Sequence, residues 1–252
     1  MARKRSTNRR RRRGRFSALV RLLCTLLIAC AIVAAMTLFF KVQTIVVDGG
    51  ERYGKEEIIA ASGVKLEDNL FLLNKYSVAQ TIFEKLPYVE EAAINRKLPD
   101  TLVITVRECT AAAGIEAGGG FWLISENGKL LELVQTVPQG CPAVSGVELI
   151  DPAASGELSF GEEHAAAENR LLDILHAANE YGMLAGVGSI DLSDATAIEM
   201  DYLGRFRVKL PWDADMERIF RGVQQLVNSL EANETGEVNL MMDGEIRFIP
   251  AA

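Results

Sequence analysis

Apolar positions along this chain follow three rhythms, and each predicts a different element. The first is unbroken: Leu22 to Phe40 are 19 residues without a charge, interrupted only by Thr25 and Thr37. At helical rise such a run spans about 28 Å, close to the roughly 30 Å of a bilayer's hydrocarbon core. It predicts one membrane-crossing helix over 22–40. The second rhythm is the 3.6-residue period of half-buried helices. Val78, Ile82 and Leu86, with Ala79 and Phe83 beside them, predict a helix from about Tyr76 to Leu86, closed by Pro87. Ala167, Leu171, Ile174, Leu175 and Ala178 predict another from about Glu162 to Tyr181. The clearest stripe is Met216, Ile219, Phe220, Val223, Leu226, Val227 and Leu230, with Asp213 as its expected N-cap and Asp215 and Glu217 at the positive end of its dipole. A shorter helix, Lys55 to Ser62, is expected to stop at Gly63.

The third rhythm is the two-residue alternation of strands. Leu102, Ile104 and Val106 point one way, with Thr101, Val103, Thr105 and Arg107 the other. Ile198, Met200 and Tyr202 turn at Leu203-Gly204 and return as Phe206, Val208 and Leu210. Val42–Val47 and Tyr88–Arg96 are further strands, and Leu98-Pro99-Asp100 is a turn. Asn127-Gly128 between Phe121–Ile124 and Leu130–Val134 is a strong hairpin signal. Two last strands, near Val238–Met242 and Glu245–Ile249, are expected to meet at Asp243-Gly244.

These elements give an α+β chain in four parts. Residues 1–21 are a basic tail, 22–40 a transmembrane helix, 41–108 a compact β-α-α-β-β unit, and 109–252 a mixed β-sheet domain with two helices. The break between the two outer units is expected in the small-residue stretch Thr110 to Gly120.

Charge orients the crossing. Ten Lys/Arg and no Asp/Glu lie in residues 1–21; the remaining 17 basic residues face all 34 acidic ones, so the rest of the chain carries −17. The positive-inside rule places the tail in the cytoplasm and some 210 residues outside. A cleaved signal at Ala29-Cys30-Ala31, or a lipobox at Leu27-Ile28-Ala29-Cys30, would strand ten apolar residues at a new N-terminus; an uncleaved anchor accounts for the run better, with lipidation of Cys30 the main exception. The arginines lack interleaved aromatics, so topology and anionic lipid explain them more simply than nucleic acid.

Candidate chemistry is sparse. Gly49-Gly50-Glu51-Arg52-Tyr53-Gly54-Lys55-Glu56 nearly matches a phosphate-binding loop, but Glu56 puts a carboxylate where the motif needs a hydroxyl for Mg²⁺. His164 and His176, the only histidines, are twelve residues apart on a predicted helix, about 18 Å and too far to share a metal. No Ser, His and Asp/Glu set has interpretable spacing, and no cofactor, metal or small-molecule substrate is indicated. Cys109 and Cys141 would lie where a disulfide is permitted, but are read as unpaired. The candidate binding element is the terminal strand Glu245, Ile246, Arg247, Phe248 and Ile249, a natural sheet edge that Pro250 prevents from extending.

An ordered set of segments resembles the FtsQ/DivIB family of bacterial cell-division proteins. It comprises Val42 to Gly49, Lys55 to Ile59, Asn69 to Leu73, Leu86-Pro87-Tyr88-Val89, Arg96 to Ile104 and Val106-Arg107-Glu108. Together they resemble the family's POTRA domain, a small βααββ module, directly behind an N-terminal anchor. Downstream, the element order is similar to the family's β-domain. Where relatives often carry Asp-Leu-Arg in the penultimate strand, this chain has Asn239-Leu240-Met241. The resemblance implies a non-enzymatic divisome scaffold of the cytoplasmic membrane, concentrated at the septum. Implied partners are single-pass FtsL- and FtsB/DivIC-type proteins, held by the terminal edge with its preceding helix, and through them the septal peptidoglycan synthase. The alternative is a membrane-anchored cell-wall hydrolase. An outer-membrane insertase is excluded, because roughly 145 residues with two helices cannot form its barrel.

Overall fold

The computed structural model describes residues 10–241 and 246–251. Arg3 to Arg9 of the basic tail, the expected Asp243-Gly244 turn and the candidate residue Glu245 lie outside the described residues. Helix α1, Arg10–Phe39, contains the one described segment long and apolar enough to cross a membrane, Leu19–Phe39. Its 21 residues span about 31 Å. The helix runs N-terminally past Arg21 into the arginine cluster, so the polar tail does not end it.

The expected β-α-α-β-β unit follows as β1 (Thr44–Asp48), α2 (Lys55–Ser62), α3 (Lys75–Lys85), β2 (Val89–Lys97) and β3 (Thr101–Glu108). β3 is central, parallel to β1 and antiparallel to β2. Its inward residues Leu102, Ile104 and Val106 are buried with Ile58 of α2 and Val78 and Ile82 of α3. Gly63 caps α2 in the left-handed region (φ 70°), as its position predicts. α3 starts at Lys75 because the Asn74 side chain accepts from the N–H groups of Tyr76 and Ser77.

The rest of the chain builds a nine-stranded sheet. Its strands are β4 (Ala111–Ala117), β5 (Gly120–Ser125), β6 (Leu130–Val134), β7 (Ala143–Ser145), β8 (Val187–Asp191), β9 (Ala197–Tyr202), β10 (Phe206–Pro211), β11 (Gly236–Asn239) and β12 (Arg247–Pro250). Their spatial order is β12-β11-β10-β9-β8-β7-β4-β5-β6. Helices α4 (Ala165–Glu180) and α5 (Met216–Ser229) bury the predicted stripes against it, with Phe206 and Phe220 fully enclosed.

Two expectations need correction, and two strands are new. The stretch Thr110 to Gly120 is no break: Ala111–Ala117 is strand β4, with Ala112, Ala113 and Ile115 buried. Its small residues are packing requirements, since a Cβ on Gly114 would lie 2.7 Å from Val137 Cγ2. The N-cap of α5 is Asp215, which accepts from Arg218 N–H, because Pro211 to Ala214 form a turn first. β7 and β8 were not anticipated; β7 has only three residues, too few for an alternation to register.

Candidate docking edge and the joint that positions it

β12 is one end of the nine-stranded sheet and pairs only with β11 within it, in the register Val238↔Phe248 and Asn239↔Arg247. Ala251 N–H donates to Thr235 O, whereas Gly236 N–H donates to Arg205 O, just before β10, and Leu240 N–H, just after β11, to Lys209 O of β10. Antiparallel pairs alternate between bonded and non-bonded. Arg247 and Ile249 therefore turn their backbone groups towards β11, whereas Ile246 and Phe248 turn theirs outward. Pro250 also faces outward and has no N–H to offer. The open edge is thus short, with Phe248 at its centre.

The side chains divide by the same alternation. Phe248 is half-buried, its ring 6.1 Å edge-on from Phe206. Ile246 rests on α5 at Gly222, where an added Cβ would meet Ile246 Cδ1. Ile246, Leu240, Ile219 and Pro211 help to line a cavity of about 180 Å³ between the start of α5 and β12. Arg247 and Ile249 are exposed on the other face. Four of the five expected residues therefore stand together at one edge, beside α5.

A dense joint fixes this sheet to the βααββ unit. β3 passes into β4 through Cys109 and Thr110 alone. The Glu108 carboxylate accepts from the N–H groups of Glu51, Arg52 and Tyr53 at 2.8–3.0 Å. Burial pushes its pKa up, but these hydrogen bonds and Arg52 outweigh it and hold the carboxyl below its ordinary range. The glycine-rich loop that resembles a phosphate site thus already binds an anion, supplied by its own chain. Tyr88 OH donates to Glu132 Oε1, and burial with this bond raises the phenol pKa well above its usual value. Arg52 lies over the Tyr88 ring at 3.5 Å and meets Glu132 at 3.1 Å.

Lys129, next to the Asn127-Gly128 turn, is 5% exposed. Its ammonium donates to Phe83 O (3.1 Å) and Val89 O (2.6 Å) and sits over the Phe83 ring at 3.4 Å. Burial lowers its pKa to about 8. Nothing in the sequence marks this lysine, since one after Asn-Gly ordinarily faces solvent. Cys109 and Cys141 are free thiols, raised in pKa by burial; their Sγ atoms donate to Tyr88 O and Ala111 O.

Among the described residues, no group of three or more His, Cys, Asp or Glu side chains could hold a metal ion. His176 is engaged by Glu126 at 2.9 Å and His164 is exposed ahead of α4.

A family model, the POTRA domain of FtsQ type, matches residues 40–108. The chain is 28% identical over 237 residues to cell division protein FtsQ of Syntrophotalea carbinolica, covering 88% of this chain and 83% of that protein. It is 38% identical to cell division protein DivIB of Clostridium tetani over 94 residues, 37% of this chain and 35% of that protein, so this match spans about a third of the relative's length. Cell division protein FtsQ of Corynebacterium glutamicum is 27% identical over 61% of this chain and 70% of its own length. The apolar helix, the βααββ unit and the mixed sheet occur in the order the resemblance implied; residues 40–108 match the FtsQ-type POTRA domain, and the chain is similar along most of its length to FtsQ and DivIB cell-division proteins.

Proposed function

We propose that this cell-division protein is a non-enzymatic scaffold that docks FtsL- and FtsB/DivIC-type single-pass proteins by strand addition at β12. The observation that carries the reading is the outward-turned backbone at Ile246 and Phe248 on the terminal strand, beside the α5 cavity. A partner strand gains hydrogen bonds from that backbone and seats an apolar side chain near Ile246. Pro250 limits the pairing to one end, which keeps the edge from recruiting further copies of itself. The arginine-rich tail is cytoplasmic, α1 crosses the cytoplasmic membrane once, and both folded units stand outside at the septum. Through the docked pair the scaffold brings the septal peptidoglycan synthase into the assembly; this chain makes and breaks no bond.

The test is co-purification of the full chain with an FtsL–DivIC pair from membranes. Deleting residues 244–252 should abolish recovery. The double variant Arg247→Glu/Ile249→Asp should weaken it while leaving Phe248 packed on Phe206. Undiminished recovery with both variants would refute docking at this edge. Turnover of purified peptidoglycan by the full chain would favour the hydrolase alternative.

A further inference from the structure

Residues outside α1 overlap its apolar length. Asn69 Nδ2 donates to Met36 O (3.0 Å) and Thr37 O (3.3 Å), two carbonyls in the last turn of the helix. The Phe71 ring packs edge-on against Phe40 at 4.9 Å. On another side, Ile32, Met36 and Phe39 line one open cleft with Pro99 and Asp100 of the β2–β3 turn. From Ile32 to Phe39 is about 10 Å of helix. Two loops of the POTRA domain therefore stand beside the final third of the membrane-crossing segment.

Those loops carry the wrong surface for water. Leu72 is 78% exposed, Tyr76 88%, Leu66 61%, Leu98 54% and Phe71 41%. Lys65, Lys75 and Lys97 flank them. The carboxylates within these segments are engaged in the chain: Glu67 pairs with Lys41 at 2.7 Å, Asp68 accepts from Lys65 N–H, and Asp100 accepts from Thr101 Oγ1 at 3.0 Å. Arg96 joins the two loops, donating to Leu73 O at 2.6 Å with its guanidinium 5.9 Å from the Phe71 ring. Apolar tips with an aromatic and flanking lysines are the composition of an interfacial contact, which buries about 5–10 Å into the headgroup boundary.

We propose that segments 65–76, the α2–α3 loop with the start of α3, and 96–100, the end of β2 with the β2–β3 turn, enter the leaflet from which α1 emerges, with Leu66, Phe71, Leu72 and Leu98 at the acyl boundary and the lysines on lipid phosphates. The POTRA domain then has a second, peripheral membrane contact. Its tilt is set by lipid as well as by the Asn69–α1 bonds, which fixes the height at which the second domain presents its edge. The proposal rests on α1 being a membrane anchor and is independent of docking at β12.

The test uses the full chain reconstituted in phosphatidylethanolamine/phosphatidylglycerol vesicles, with tryptophan reporters L72W, L98W and L133W. Leu133 is 46% exposed on β6 of the distal sheet and serves as the control. The parent's Trp122 and Trp212 signal is subtracted. Acyl-chain-brominated lipid should quench L72W and L98W at least about threefold more than L133W, with acrylamide showing the reverse order, as interfacial burial requires. Two reporters on separate loops guard against one variant misfolding. If both are quenched as L133W is, the proposal is overturned and the apolar tips are left to a protein partner. Failure of the chain to float with the vesicles would instead remove the anchor reading itself.

Discussion

The Tyr88 hydroxyl donates to Glu132 Oε1 at 2.5 Å, linking the residue before β2 to the outermost strand at the far end of the second sheet. Arg52 covers the ring and shares the same carboxylate oxygen. A phenol, a guanidinium and a carboxylate from three segments thereby set the angle between the two folded units. Tyr88→Phe keeps the ring under Arg52 and removes one hydrogen bond to a charged acceptor, so it should cost about 1–2 kcal/mol. Denaturant unfolding and limited proteolysis across residues 108–111 check this. Unchanged stability with unchanged cleavage would show the bond to be idle.

Lys129 gives the joint a pH signature. Its folded pKa, about 8, lies below the ordinary lysine value near 10.4, so the folded state releases its proton first as pH rises. Between about pH 8 and 10.4 the unfolded chain binds more protons, and stability from this group rises with pH; below about 8 the desolvation penalty is present in full. The parent's stability minus that of Lys129→Met should therefore rise across that window, by roughly 3 kcal/mol at most. Comparing the pair cancels other groups. A difference that stays flat from pH 7.5 to 10 would contradict the burial of a titrating ammonium here.

Glu108 works in the opposite sense. Its carboxyl is held below its ordinary range, so its stabilisation is present above the unfolded value and lost as pH falls through the folded one. Glu108→Gln should cost about 1 kcal/mol at pH 7, a figure discounted for solvent screening. The gap between parent and variant should close on acidification, read by melting temperature against pH. A gap that persists to the acid limit would mean that charge plays no part in filling the loop.

Two glycines separate the strand from its side-chain contacts. A Cβ on Gly236 would stand 2.2 Å from Ile249 O, a backbone atom, so β12 itself must shift. At Gly222 it would stand 2.1 Å from Ile246 Cδ1, the tip of a side chain that can rotate. Gly236→Ala should cost about 1–3 kcal/mol and sharply reduce partner recovery. Gly222→Ala should leave stability nearly intact and affect only the Ile246 contact. The two variants are ranked by equilibrium unfolding and co-purification; equal effects would argue against a backbone-led edge.

Much of this fold is legible in the sequence because burial imposes a period. The stripes of α3, α4 and α5 and the alternation of β3, β9 and β10 are buried as their spacing predicts. What escaped lacks a local signal. Ala111–Ala117 is poor in strand-forming residues, and it is a strand because β5 and β7 flank it. Asp213 and Asp215 are both good caps, and only the turn from Pro211 to Ala214 selects the second. Lys129 and Glu108 act through carbonyls and amides some 40–57 residues away, which no window along the chain can relate. The terminal edge was readable as a strand ending in proline; which of its amides face outward required the register with β11.

That register supplies the most direct test of the docking account. Hydrogen–deuterium exchange of the full chain, resolved to single amides across 246–250, should be compared with and without the FtsL–DivIC pair. The Ile249 N–H, already turned to β11, should change little, whereas the Ile246 and Phe248 N–H groups should become strongly protected when the partner is bound. If those two outward amides exchange equally fast in the complex, no strand is added at β12 and the docking account is wrong.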